Sequence, residues 1–117
     1  MTTDATPTEE DLLDDIGHDF AILEIVQQQI AFGTWAIGLV AGHRFEALLF
    51  PGHAANPAFE LGDSRISKLW VQRLADRVAV ANFDRGWDVR PAGEVAAAIV
   101  DFLAEGLATR VFGTRAV

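Results

Sequence analysis

The sequence of 117 residues contains no cysteine. It therefore offers no disulfide framework, no thiolate metal site and no cysteine nucleophile. The N-terminal segment is acidic and polar, whereas a signal peptide needs a basic start and an apolar run. No apolar run approaches the ~18 residues of a membrane span. These absences, together with a length typical of one domain, predict a single cytoplasmic domain.

Lysine and arginine are absent from residues 1–43, which hold eight of the 17 acidic residues. Residues 44–117 carry nine acidic and nine basic residues, so the net charge of −8 comes entirely from the first part of the chain. Such asymmetry suggests a partner, although acids also suit the start of a helix and increase solubility.

Helical patterns stand at both ends of the chain. Residues 6–9 combine a capping threonine, a proline and a glutamate, which is typical of a helix start. Apolar residues then recur at three- and four-residue steps to about residue 31, with Gly17 as a point where the helix can break into two pieces. A second helical pattern follows at 92–112, and Gly113 is its expected stop.

The middle of the chain has the short apolar and alternating runs of strands. We predict two hairpins, formed by strands at 34–41, 43–51, 65–74 and 77–86. If the second hairpin turns through two residues, Ser67 faces Asp84, Leu69 faces Asn82 and Val71 faces Val80.

The predicted fold class is α+β, with helices packed on one face of the sheet. The predicted organisation is a flexible acidic leader at 1–6 followed by one domain at 7–117. That domain contains an N-terminal helix at 7–31, a four-stranded antiparallel sheet at 33–90 and a C-terminal helix at 92–112.

The most distinctive stretches are RISKLW at 65–70 and DRGWD at 84–88. In this pair the sequence resembles a family of small uncharacterised bacterial and phage proteins, over roughly residues 34–105. The family has no established activity, so the resemblance implies the sheet-plus-helix fold and a mobile-element setting but no chemistry.

The DRGWD stretch is either a structural corner at the end of a strand or a binding site. As a corner, glycine takes a backbone angle that other residues avoid, and Trp87 folds over the sheet edge beside Arg85 or Lys68. As a site, its residues form a polar patch for a partner's charged group: Lys68, Asp84, Arg85, Trp87 and Asp88. Catalysis is not expected, because Ser67 beside Asp84 lacks a histidine base.

No cofactor and no metal are expected. His18, His43 and His53 do not have the spacing of a metal motif, and the aspartates near residue 14 lack the pattern of a calcium loop. The glycines match neither a dinucleotide fingerprint nor a phosphate-binding loop.

The leading functional hypothesis is a non-enzymatic protein-interaction module that is also a homodimer. Its acidic helix face would fit a basic, nucleic-acid-binding groove on a partner; its residues are Glu9, Glu10, Asp11, Asp14, Asp15 and Asp19. Small acidic cysteine-free proteins of phages and plasmids that inhibit host defence proteins, as anti-CRISPR proteins do by nucleic-acid mimicry, are similar in composition. The segment FAILEIVQQQIAF and the apolar strand edges are candidates for the twofold interface.

The alternative hypothesis is a sheet that binds single-stranded nucleic acid. Residues 65–90 carry a local charge of +3, interleaved with Trp70, Phe83 and Trp87 as stacking platforms. The overall charge of −8 opposes this alternative, because it repels the phosphate backbone. A small enzyme of unknown reaction ranks third.

Overall fold

The structure is a computed structural model, and it describes residues 9–18, 20–27 and 33–113. The strands form one antiparallel sheet in chain order, from β1 at one edge to β6 at the other. The predicted α+β class and the C-terminal helix are confirmed, but the sheet has six strands rather than four. The elements are α1 (Glu9–Asp15), β1 (Phe20–Gln27), β2 (Thr34–Val40), β3 (His43–Leu49), a 3₁₀ turn (Pro57–Phe59), β4 (Ile66–Arg73), β5 (Ala79–Asp84), β6 (Trp87–Val89) and α2 (Glu94–Phe112).

The predicted helix at 7–31 is wrong beyond its first two turns. The helix α1 ends at Asp15, Gly17 adopts a φ of 95°, and residues 20–27 form strand β1. Three β-branched residues within 22–26 favour an extended backbone. Pairing with β1 also satisfies backbone N–H and C=O groups of β2 that would otherwise be exposed at the edge of the sheet. The predicted flexible leader at 1–6 lies outside the described residues.

Glycine at position 38 lets β1 lie close to β2. A Cβ atom added to Gly38 would stand 2.2 Å from the carbonyl oxygen of Ala21 and 2.6 Å from the ring of Phe45. Phe45 in turn stacks on Phe20 of β1, with 5.9 Å between ring centroids. The close backbone approach and the stacked rings together attach β1 to the sheet.

The hairpin between β2 and β3 forms where the sequence predicts it. Ala41 and Gly42 both have positive φ, 47° and 75°, as a two-residue hairpin turn requires. The His43 ring is buried beside this turn, and its Nδ1–H donates to the Ala41 carbonyl at 2.8 Å. Burial lowers the pKa of His43, although this hydrogen bond acts in the opposite direction.

The predicted register of the second hairpin is wrong by one residue. Asp84 pairs with Lys68, Leu69 with Phe83 and Val71 with Ala81. The connection is longer than two residues, and a bulge at Gln72 shifts the register. The side chain of Arg73 holds the connection by two hydrogen bonds to Asp76, at 2.9 and 2.6 Å.

One face of the sheet packs against α2 to form the core. Alternate residues of β2 to β5 point to this side, and α2 contributes Ile99, Leu103 and Leu107, each 0–1% exposed. The helix begins after Gly93 and ends at Gly113, whose N–H donates to the Thr109 carbonyl at 2.7 Å. The helix α1 lies on the same side, in contact with α2. None of the described helices is long and apolar enough to span a bilayer.

Candidate functional site

The opposite face of the sheet has no helix packed on it within the described residues. Strand alternation and register place four large apolar residues there, three on β2 and one on β4, with β3 between these two strands. We call this surface the open face and define it by these residues: Trp35, Ile37, Leu39 and Trp70. All four are only partly buried. The open face is therefore an aromatic and aliphatic surface that the fold leaves available.

Charged residues of both signs are interspersed with the open face. Arg44 donates to Glu46 from Nε and Nη2, at 3.3 and 3.2 Å. Lys68 lies 3.8 Å from a carboxylate oxygen of Asp84 in the neighbouring strand. With Glu24, which pairs with Ile37, the surface carries three acids and two bases. This slight negative excess suits contact with a protein better than contact with a phosphate backbone.

A cleft opens beside Lys68, where the loop at 50–65 folds over the ends of β3 and β4. Its volume is about 680 Å³. The apolar part of its lining is formed mainly by the loop, with one leucine from β3: Leu48, Phe50, Pro51, Ala54 and Phe59. Arg65, Lys68 and Arg85 add three cationic side chains to the same lining.

Glu60 holds the loop of the cleft in place. Its carboxylate is 4% exposed and accepts three hydrogen bonds, from the backbone N–H of Ala54 at 2.6 Å, from that of Arg65 at 2.9 Å and from Nδ1–H of His53 at 2.7 Å. Burial alone would raise the pKa of this carboxyl. The hydrogen bonds outweigh burial and hold the pKa of Glu60 below its ordinary value.

The DRGWD stretch forms the turn between β5 and β6. Arg85 has a φ of 53° and Gly86 a φ of 143°, and the Asp84 N–H donates to the Gly86 carbonyl at 2.8 Å. Trp87 packs edge-on against Phe83, with ring centroids 5.2 Å apart. Phe83 is 4% exposed and belongs to the core, so the Trp87 side chain stabilises the turn on the helix side of the sheet.

The predicted polar patch is brought together only in part. Lys68, Asp84 and Arg85 lie close to one another, because both cations are 3.8 Å from the same oxygen of Asp84. The guanidinium of Arg85 lies over the Phe59 ring, 5.9 Å from its centroid, rather than over a tryptophan. Trp87 belongs to the core side, and Asp88 is exposed on β6.

The predicted acidic face is shorter than expected. Four of its residues are exposed on α1, namely Glu10, Asp11, Asp14 and Asp15. Glu9 begins the helix, but its side chain lies outside the described part of the structure, as does Asp19. Leu12 of α1 and Ile16, directly after its end, pack against the core.

The three aromatics of the nucleic-acid hypothesis do not share a surface. Trp70 lies on the open face, while Phe83 is buried on the opposite side and Trp87 packs on Phe83. The three rings therefore do not form one exposed face, and nucleic-acid binding stays a prediction. Trp35, which lines a shallow groove together with Trp70, is the second aromatic of that surface.

One group of side chains in the described residues has the composition of a metal site. Ligand atoms of His53, Glu60 and Asp63 lie within 4.8 Å of one another. Both oxygens of Glu60 already accept hydrogen bonds from the loop. Support of the loop therefore explains why His53 and Glu60 lie together. The absence of a metal stays a prediction.

Sequence reasoning missed the open face and the cleft. The run TWAIGLV alternates large and small apolar residues. Because neither face of this strand is polar, the pattern does not tell whether the large or the small residues are buried. The loop at 50–65 has the Gly, Asn and Pro of a connection, and only Phe50 and Phe59 hinted that it covers apolar surface.

The fold and these surfaces define a two-layer α+β protein with an open sheet face and a cationic apolar cleft at one end. The chain belongs to a family described as a domain of unknown function, DUF7678, which matches residues 33–108. The match covers β2 to β6 and most of α2, including both distinctive stretches, and leaves out α1 and β1. Comparisons with curated proteins and with solved structures find no match.

Proposed function

We propose that this protein is a non-enzymatic module that binds another protein through its open face. One observation carries the proposal: Trp35, Ile37 and Leu39 of β2 and Trp70 of β4 lie on the face of the sheet that α2 does not cover, on either side of β3, and Trp35 and Trp70 line one groove. Aromatic residues, tryptophan above all, contribute much of the binding energy in protein interfaces. A sheet face of this composition is typical of a recognition surface rather than of a catalytic one.

The pairing of the ionisable groups supports a binding role without catalysis. Glu46 pairs with Arg44 across one part of the surface, and Lys68 lies near Asp84 across another. Each of these carboxylates therefore has a cation of the same protein beside it. Mixed charges around an apolar centre instead help to orient a protein partner.

The acidic helix is the second candidate surface. Inhibition of a nucleic-acid-handling protein by mimicry requires a series of carboxylates along a groove, and in the part of the chain that the structure describes the helix α1 spans seven residues and ends at Asp15. Its exposed acids remain suitable for a small basic patch on a partner. We therefore rank the open face first and the acidic helix second.

The test begins with photo-crosslinking from each side of the protein. Trp70 is replaced by benzoylphenylalanine in one variant, and Asp101, exposed on α2, is replaced in the control. A protein crosslinked from position 70 and not from position 101 is expected. Equal crosslinking from both positions would mean that the open face is not selective.

Binding of the purified partner then separates the two surfaces. The Ile37→Ser and Trp70→Ser double variant should bind more than about tenfold more weakly, provided that its melting curve shows a folded protein. The matched variant neutralises the acidic helix with Glu10→Gln, Asp11→Asn, Asp14→Asn and Asp15→Asn. If this variant loses the partner while the double variant keeps it, the acidic helix is the binding surface and the open-face proposal is wrong.

A tryptophan fluorescence titration with single-stranded DNA and RNA serves as the control for ligand class. No saturable quenching is expected, because the open face has no cationic excess. Saturable quenching that weakens with salt and disappears in the double variant would show that the open face binds a nucleic acid rather than a protein.

A further inference from the structure

We propose that the cleft under the loop at 50–65 is a binding site for a small amphipathic monoanion, an apolar chain or ring that carries one carboxylate. The inference is independent of the proposed function. It concerns a cleft that adjoins the open face at Lys68, and it is tested with the purified protein and a small molecule.

The size and lining of the cleft match a small ligand. A volume of about 680 Å³ falls within the range of sites that enclose drug-sized molecules, roughly 300–1,000 Å³. Leu48 forms the floor, and Phe50 and Phe59 line the walls. Phe59 is 45% exposed, so part of its ring is accessible to a ligand in the cleft.

Two cations at the rim are placed to receive a carboxylate. Lys68 and Arg85 each lie 3.8 Å from Asp84, which is longer than a hydrogen bond. Both contacts are ion pairs without a hydrogen bond, so a ligand carboxylate would share the two cations with Asp84. Arg85 also lies over the Phe59 ring, so its charge stands directly beside the apolar wall.

The acid inside the cleft does not compete for these cations. Both oxygens of Glu60 are occupied by His53 and by two backbone amides. Arg65, Lys68 and Arg85 against Glu60 give the lining a net charge of +2, in a chain whose net charge is −8. A local positive site in an acidic protein favours a monoanion, because a polyanion is repelled by the rest of the molecule.

The test compares three ligands with the same ten-carbon chain and different head groups. Decanoate, decanol and decyltrimethylammonium are titrated into the full chain, with binding followed by calorimetry and by backbone amide NMR shifts. Decanoate should bind saturably with shifts around the loop at 50–65, and at least about tenfold more tightly than decanol. Decyltrimethylammonium should bind most weakly.

Charge and apolar variants test the two halves of the site separately. The Lys68→Gln and Arg85→Gln double variant should lose about tenfold in decanoate affinity and keep its decanol affinity. Phe59→Ala should weaken both ligands. The matched control is Arg77→Gln with Arg90→Gln, two exposed arginines that do not line the cleft.

Three results would overturn the inference. The first is decanol binding as tightly as decanoate, and the second is an equal loss of decanoate affinity in the control variant. The third is no saturable decanoate binding up to about 1 mM. A dissociation constant above that concentration would be too weak for a specific binding site. None of these results bears on the open face, because the protein-partner experiment uses other residues.

Discussion

At the scale of single residues, Glu60 shows how one buried carboxylate organises a loop. It joins His53 and Ala54 on one side of the cleft to Arg65 on the other. Arg65 has a positive φ of 64°, a conformation that residues with a Cβ atom avoid unless the surroundings hold them there. The hydrogen bond from its N–H to Glu60 provides that support.

The charge of Glu60 should make the protein sensitive to acid. Because the pKa of Glu60 is lowered on folding, its stabilisation is present above the ordinary value of 4.5 and is lost as pH falls from there through the folded pKa. Glu60→Gln should lower the free energy of unfolding by about 1–3 kcal/mol at neutral pH. The difference from the unmodified protein should shrink below about pH 4.5 in urea unfolding followed by circular dichroism.

Glu105→Gln is the control for this measurement, since Glu105 is exposed on α2. It should change the free energy of unfolding by less than about 0.5 kcal/mol at neutral pH. A Glu60→Gln effect that stays constant down to pH 3 would contradict the assigned role of the charge.

At the scale of elements, the attachment of β1 depends on a residue in its neighbour. Gly38 leaves no room for a side chain between the Ala21 carbonyl and the Phe45 ring. Phe20 adds aromatic contacts to the strand pairing: it stacks on Phe45 and meets Phe102 of α2 edge-on at 5.1 Å. The strand β1 is therefore held by close approach and by aromatic packing at the same point.

Two glycine-to-alanine variants should have opposite effects. Gly38→Ala should destabilise the fold by about 1–3 kcal/mol, because the methyl group pushes β1 away from β2. Gly106→Ala should stabilise it by about 0.5–1 kcal/mol, because Gly106 lies within α2 with open space around its Cβ position. Thermal melting measures both, and hydrogen exchange of residues 20–27 should increase only in Gly38→Ala.

At the scale of the whole molecule, the edge strand β1 is the surface suited to self-association. Its eight residues end the sheet, and Leu23, Ile25 and Val26 are 57%, 51% and 41% exposed. Long apolar edge strands present backbone groups that pair with another strand. Antiparallel pairing of β1 with β1 of a second copy would form the twofold interface that the sequence predicted. The homodimer stays a prediction.

Sedimentation velocity tests this prediction. A dimer is expected at tens of micromolar, and it should strengthen with salt because two acidic chains repel each other at low ionic strength. Leu23→Lys should shift the protein to monomer, since an edge lysine opposes strand pairing. Leu74→Lys, at a leucine 45% exposed outside any strand, should not. A monomer at all concentrations would contradict the prediction.

The sequence by itself determined the elements whose signals are local. The β2–β3 hairpin follows from two residues with positive φ, and α2 follows from its apolar stripe and from Gly113 at its end. For DRGWD the sequence left a corner and a binding site as alternatives, and the corner rested on a local signal, because Gly86 allows a backbone angle that few residues adopt. Such features depend on neighbours in the chain.

Only the tertiary structure decided what depends on distant residues. FAILEIVQ has the periodicity of a helix and becomes a strand because β2 offers an edge and a glycine that admits it. A one-residue shift in register placed Lys68 beside Asp84, and the loop at 50–65 completed the cleft that Lys68 lines. The open face exists because α2 covers the other side of the sheet. The local sequence pattern of the strands does not predict which side of the sheet a helix will cover.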